Sequence, residues 1–372
     1  MPAMPLPALG ETLKRTRIAG LVIGALAALA FAGTAGAETM RIGVAAPLSG
    51  PSQILGEQIR NGALGAAAET AAQLEIADDA CTSEGGSNAA RQFITAKVRL
   101  VVGFLCTEAL EAALPILTEA NIPVITIGVR TDSLTDRRDK TGWPIFRLAP
   151  RADAEREATG RLLTRLWSGE LFAVVDDGTI YGRELAESFR AAAEQIGLKP
   201  VFNDTFRPQL DNQIGLAGRL RKAGATHVFV GGDRDDIAIM ARDARQIGAD
   251  MIFAGGETLR SDESSVPLAA GTLMIGLPEW QETADAAVVA ALNAKGTVPE
   301  GYVLPAYAAV QIAAAGIGEA TTSGKPLQEV LVGRDFPTVG GVVRFTDKGD
   351  LTQNPYRVYR FDGSRFVQMD VQ

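Results

Sequence analysis

From residue 40 onward, short β-rich apolar runs alternate with longer stretches in which alanine and leucine recur at helical spacing. Residues 40–46 read as a strand, 47–51 as a Gly/Pro/Ser turn and 53–72 as an Ala-rich helix, which together open a βαβ unit. Further strands are expected near 74–77, 98–102 and 123–126, with helices near 87–95 and 108–120 between them. Continuous apolar runs of this kind are what parallel strands covered on both faces require.

The polar stretch 130–142 interrupts the series and marks a candidate boundary. Beyond it come helix 153–167, strand 171–175, helix 183–196, strand 201–205, helix 210–223, strand 227–230, helix 235–247 and strand 251–254. The last third adds strands at 272–275 and 342–345, helices at 283–295, 306–320 and 327–332, and a hairpin of 356–361 with 365–369 around Asp362-Gly363. Two doubly wound α/β units therefore follow one another, and open parallel sheets present loops and helix N-termini at the carboxyl ends of their strands. A ligand cleft is expected there.

The first 37 residues change the picture of where the chain works. Lys14, Arg15 and Arg17 precede a charge-free apolar run over 18–32, and Ala35-Gly36-Ala37 supplies small residues at the −3 and −1 positions of a cleavage site. The run falls short of the roughly 20 apolar residues that span a bilayer. A cleaved export signal is expected at 1–37.

Composition then excludes most catalytic chemistries. With His227 as the single histidine and Cys81 and Cys106 as the only cysteines, the chain cannot build a Cys/His zinc cage or an iron–sulfur cluster. No metal or cofactor is expected. A net charge of −8 and 6% aromatics leave no cationic or stacking surface for nucleic acid. In an oxidising compartment the two cysteines, each just after a predicted strand, most simply pair; two buried free thiols are the alternative. Carboxylate neighbours such as Asp78-Asp79 and Asp176-Asp177 make poor acid/base pairs while on a strand, because adjacent side chains point to opposite faces.

The segments after the strands hold the candidate ligand groups: Ser49-Gly50, Cys106-Thr107-Glu108, Gly128-Val129-Arg130, Tyr181-Gly182, Gly231-Gly232-Asp233 and Gly255-Gly256-Glu257. Arg130 reads either as a bidentate clamp for a carboxylate or as a loop cation paired with Asp132. Glu257 and Asp233 read either as partners for an ammonium group or as helix caps.

The segments Ile42-Gly43-Val44-Ala45-Ala46-Pro47-Leu48-Ser49-Gly50-Pro51, Asp78-Asp79-Ala80-Cys81 and Val102-Gly103-Phe104-Leu105-Cys106 together resemble the leucine/isoleucine/valine-binding proteins, type I periplasmic binding proteins of ATP-binding cassette importers. Tyr181-Gly182, Gly255 with Glu257, Tyr302 with Tyr307-Ala308-Ala309, and Lys348-Gly349-Asp350-Leu351 extend the resemblance over nearly all of the chain after the leader. It implies two Rossmann-like lobes with a parallel sheet each, three crossovers and a cleft between them. The first lobe would span 38–147 and 276–354, the second 148–275 and 355–372. The resemblance places Thr107 at a hydroxyl that contacts a ligand carboxylate, Gly128 at a backbone carbonyl facing the ammonium, Tyr181 at an aromatic of the second lobe, Glu257 at the acid pairing with the ammonium, and Tyr302 at an aromatic side-chain contact. It also implies the Cys81–Cys106 disulfide.

This sequence departs from that pattern in three places. Arg130 stands where a small hydroxyl residue is usual, Asp233 where an aromatic is, and Leu55 where an aromatic commonly closes the side-chain pocket. A more charged pocket asks for a ligand bringing a matching charge. The expectation is a monomeric, non-enzymatic periplasmic component that captures an amino acid or related organic acid for an inner-membrane permease; a sensor of the same fold is the alternative.

Overall fold

A computed structural model describes residues 1–5, 40–262 and 266–371 of the chain. Strands β1 (Arg41–Ala46), β2 (Gln73–Asp78), β3 (Leu100–Gly103), β4 (Val124–Thr126) and β5 (Ile145–Arg147) form a parallel sheet in the order β2-β1-β3-β4-β5. Ile42, Val44, Leu100, Val101, Val102 and Val124 are wholly buried. Consecutive residues of β3 are therefore hidden whichever face they point to, which is what helices on both sides of a sheet produce.

The second sheet joins β6 (Phe172–Asp176), β7 (Phe202–Thr205), β8 (His227–Gly231), β9 (Ile252–Gly255) and β10 (Leu273–Gly276) in parallel. β11 (Phe336–Thr338) and β12 (Gly341–Val343) make a separate antiparallel ribbon. The hairpin of β13 (Arg357–Phe361) and β14 (Phe366–Met369) extends the second sheet beyond β10 with antiparallel pairing, giving the order β14-β13-β10-β9-β8-β6-β7.

Helix Val303–Ser323 packs on the first sheet and helix Ala154–Leu166 on the second. The chain thus passes between the two lobes three times: after β5, after β10 and again before β13. Val303–Ser323 is long and apolar enough to cross a membrane, yet 78% of its apolar window is buried inside the molecule, as in a core helix. Helix Gln53–Thr70 lies directly against it at Gly62, where a Cβ would stand 2.0 Å from the Val303 carbonyl oxygen.

Several expectations shift in detail. The expected export signal falls almost wholly outside the described residues. The polar stretch 130–142 does not end the first lobe. It contains the short helical turns Ser133–Asp136 and Arg138–Thr141, and the unpredicted β5 follows it in the same sheet. Three residues ending in an arginine give no apolar run to read. The strand expected at 342–345 is β12, and Phe345 instead makes isolated bridges to Val332 and Leu351.

Cys81 and Cys106 form a disulfide with Cα atoms 5.2 Å apart, joining the turn after β2 to the turn after β3. Beside it, Asp79 is fully buried. Its Oδ1 accepts the Cys81 N–H at 2.9 Å, while Oδ2 has no hydrogen-bond partner among the described residues. Burial pushes the carboxyl up to about 6, resisted by the Cys81 N–H and reinforced by the charge on Asp78.

In an unfolded chain this carboxyl titrates near 3.8, so the folded protein binds the proton more tightly. Its contribution to stability is fully present below that value and lost as pH rises through about 6. Asp79→Asn should therefore gain on the wild type in urea-unfolding free energy as pH increases from about 4 to about 8. A difference constant across that range would show that Asp79 does not titrate as its burial implies.

Candidate functional site

The two lobes face each other across a cleft of about 970 Å³, within the range of small-molecule pockets. Gly128 and Arg130 reach it from the segment after β4, Glu257 from the turn after β9, and Tyr302 from the start of helix Val303–Ser323. All three crossings contribute to its walls, through Pro150, Pro278 and Pro355 among others.

In its wall the Arg130 guanidinium bridges the lobes. Nη1 donates to Glu257 Oε2 at 3.3 Å and to the Tyr356 hydroxyl at 3.1 Å, and that hydroxyl donates to Glu257 Oε2 at 3.1 Å. The Arg130 and Glu257 side chains remain 40% and 28% exposed, whereas Tyr356 is buried in the second lobe's core. Burial, and then the charge on Glu257, hold the Tyr356 phenol well above its usual titration range. It is therefore neutral and available as both donor and acceptor.

Behind Glu257 lies a second carboxylate. Glu155, in the first turn of helix Ala154–Leu166, accepts the Glu257 backbone N–H at 2.7 Å and the Tyr181 hydroxyl at 2.8 Å on the same oxygen. Burial raises its pKa; the Glu257 N–H and the Tyr181 hydroxyl oppose the rise, the Glu257 charge adds to it and Arg130 opposes it. Gly256 keeps this corner tight, because a Cβ there would come 2.4 Å from the Tyr181 hydroxyl oxygen.

Gly128, Arg130, Glu257 and Tyr302 are thus brought together. Gly128 is close to Tyr302: a Cβ on it would sit 3.4 Å from the Tyr302 ring. Thr107, Tyr181 and Asp233 lie outside the cleft lining. Thr107 opens helix Thr107–Glu119, and its hydroxyl shares a 2.9 Å hydrogen bond with that of Thr131. Tyr181 is buttressed by Glu155. Asp233 is exposed at the N-cap of helix Arg234–Gln246 and makes no capping bond. Leu55 is also exposed on its helix, outside the lining.

Sequence reasoning did not single out Tyr356 or Glu155. Tyr356 is the residue before β13 and Glu155 one of several charges at a helix start, and no local motif marks either.

The segment carrying Arg130 is fixed from below. Arg147, with no exposed surface, donates from Nε to Asp350 Oδ1 at 2.9 Å and from Nη1 to the Thr131 carbonyl at 2.8 Å. Arg151 pairs with Asp136 at 3.0 Å, Asp153 at 2.9 Å and Asp350 at 3.3 Å. The Ala152 N–H closes the ring on the Arg130 carbonyl at 2.9 Å. Two of the three crossings and the Arg130 segment are therefore tied into one charged cluster. Among the described residues no group of three or more His, Cys, Asp or Glu could hold a metal ion.

Two α/β lobes on separate, largely parallel sheets, joined three times across a charged cleft, define the class of two-lobed solute-binding proteins. The sequence profile described as periplasmic binding protein matches residues 39–365, and the chain belongs to that family. It is a family of binding proteins, not of enzymes.

The chain is 29% identical over 358 residues to a Leu/Ile/Val-binding protein of Rhizobium johnstonii, covering 92% of this chain and 96% of that one. It is 30% identical over 338 residues to an amino acid binding protein of Pseudomonas aeruginosa, covering 86% and 90%. The crystal structure of a putative branched-chain amino acid ABC transporter from Rhodospirillum rubrum aligns with a TM-score of 0.74 at 19% identity, over 89% of this chain and all of the other. At that identity the match speaks for the fold.

Asp350→Ala would leave the Arg147 guanidinium buried without its carboxylate. Urea unfolding should then show a loss on the order of 3–5 kcal/mol, the usual result of breaking a buried pair from one side. A loss below about 1 kcal/mol would mean the cluster does not carry the junction.

Proposed function

We propose that this chain is the periplasmic substrate-binding component of an ATP-binding cassette importer, capturing a small carboxylate-bearing solute, an amino acid or a related organic acid, and delivering it to an inner-membrane permease. The observation that carries the proposal is the Arg130–Glu257 pair inside the cleft: opposite charges 3.3 Å apart, one from each lobe. A zwitterion offers each of them a partner. The names of the relatives, Leu/Ile/Val-binding and amino acid binding, point the same way.

In this reading the ligand carboxylate takes the Arg130 guanidinium, whose segment the Thr107 hydroxyl braces through Thr131, and an ammonium group takes Glu257 and the Gly128 carbonyl. Tyr302 packs the rest of the ligand, and Tyr181 supports the corner from behind. Asp233 is assigned no ligand contact. The lobes divide at 38–147 with 276–354 and 148–275 with 355–372, and closure follows because the ligand gains contacts from both. The leader at 1–37 is cleaved on export, and the mature protein acts as a monomer.

A thermal-shift panel of amino acids, aromatic acids and dicarboxylates should give a raised melting temperature with at least one carboxylate, because a ligand that binds only the folded form stabilises it. In calorimetry with that compound, Arg130→Ala should weaken binding by about 1.5–3 kcal/mol, the range for a hydrogen bond to a charged group, since the Arg130 side chain is 40% exposed. Unchanged affinity would take Arg130 out of the site, and a panel without a stabilising carboxylate would refute the ligand class.

A further inference from the structure

Tyr356 joins groups from both lobes through one oxygen atom. Its ring packs in the second lobe's core with Ala154, Phe172, Ala254 and Val358 and is 1% exposed, so the ring position is fixed by packing. The hydroxyl lies behind the cleft lining and reaches two residues that belong to it, accepting from Arg130 of the first lobe and donating to Glu257 of the second, each at 3.1 Å. Arg130 thus meets two groups of the opposite lobe, and they hold each other in place.

We propose that Tyr356 is a positioning residue that latches the lobes to one another: its hydroxyl aligns Glu257 and anchors Arg130, so that the interlobe distance depends on these three side chains. A ligand carboxylate that engages Arg130 then competes with Glu257 and the phenol for the same guanidinium. Tyr356 thereby links the separation of the lobes to the charge a ligand brings. The latch does not depend on the ligand being an amino acid.

The test uses the full mature chain without added ligand. Ile54→Cys and Ile180→Cys place one nitroxide label on each lobe, at positions 76% and 80% exposed. Cys81 and Cys106 are bound in their disulfide and do not take label. Pulsed electron resonance then reads the interlobe distance distribution. Tyr356→Phe keeps the ring and its packing and removes only the hydroxyl. The expected result is a broader distribution displaced in the same sense as in Arg130→Ala, with the double variant displaced no further than Arg130→Ala alone.

A Tyr356→Phe distribution superimposable on the wild type overturns the proposal, as does a double variant in which the two shifts add. Should Tyr356→Phe lose the fold by circular dichroism, Glu257→Gln reads the same latch, and no displacement in either it or Arg130→Ala overturns it equally. A failed ligand panel leaves this measurement standing, and an unshifted distribution leaves the panel standing, so the two readings fail separately.

Discussion

A guanidinium shut away from water must be surrounded by acceptors, because the effective cost of desolvating an ion is several kcal/mol unless it is paired and hydrogen-bonded. Arg147 meets that demand with acceptors drawn from separate parts of the chain: the Thr131 carbonyl, the Thr135 hydroxyl and the Asp350 carboxylate. Satisfying one buried charge therefore fixes the end of β5, the segment after β4 and the third crossing relative to one another. Arg130 stands one residue before Thr131, so its location is a consequence of how Arg147 is solvated.

The same logic runs on the other side of the cleft. Glu257 is held at its backbone by Glu155 and at its carboxylate by Tyr356. Glu155 is in turn satisfied by Tyr181. Each polar group near the cleft floor is thus braced by another with less freedom to move, ending in the apolar core of the second lobe around Trp167 and Phe172. Such bracing limits the ordering that a ligand would otherwise have to impose on the site.

How much of this could be read from the chain depends on the range of the interaction. β1, β3, β8 and β9 are legible because both faces are covered and their runs are continuously apolar. β5 is not, because its Ile-Phe-Arg ends in a residue that every sequence rule places outside, and the counter-charge that makes Arg147 tolerable inside comes from Asp350, 203 positions away. At the site, Arg130 and Glu257 stand out as charges at strand ends. Tyr356 contacts Arg130 across 226 positions and Glu155 contacts Glu257 across 102, so neither has a local signature. Thr107 and Tyr181 stand in strand-end segments and took their roles from the resemblance to amino-acid binders, whereas their partners Thr131 and Glu155 came only from the fold.

The magnitudes decide what kind of ligand such a cleft favours. Arg130 and Glu257 are each more than a quarter exposed, so solvent screening holds their direct pairing to roughly 1 kcal/mol or less. The Tyr356 bonds to charged partners add about 1.5–3 kcal/mol before the cost of ordering them. A net interlobe bias of about 1–3 kcal/mol corresponds to roughly 5–150-fold in population, enough to set the resting separation yet small beside the binding energy of a good ligand. On the proposed function, a carboxylate without a cation would take Arg130 and leave Glu257 beside Glu155 with the Tyr356 hydroxyl but no counter-charge. A ligand carrying an ammonium as well leaves neither charge unpaired. On the proposed function, the arrangement would discriminate less by rewarding the carboxylate, which Arg130 already has in Glu257, than by penalising whatever leaves Glu257 without a cation.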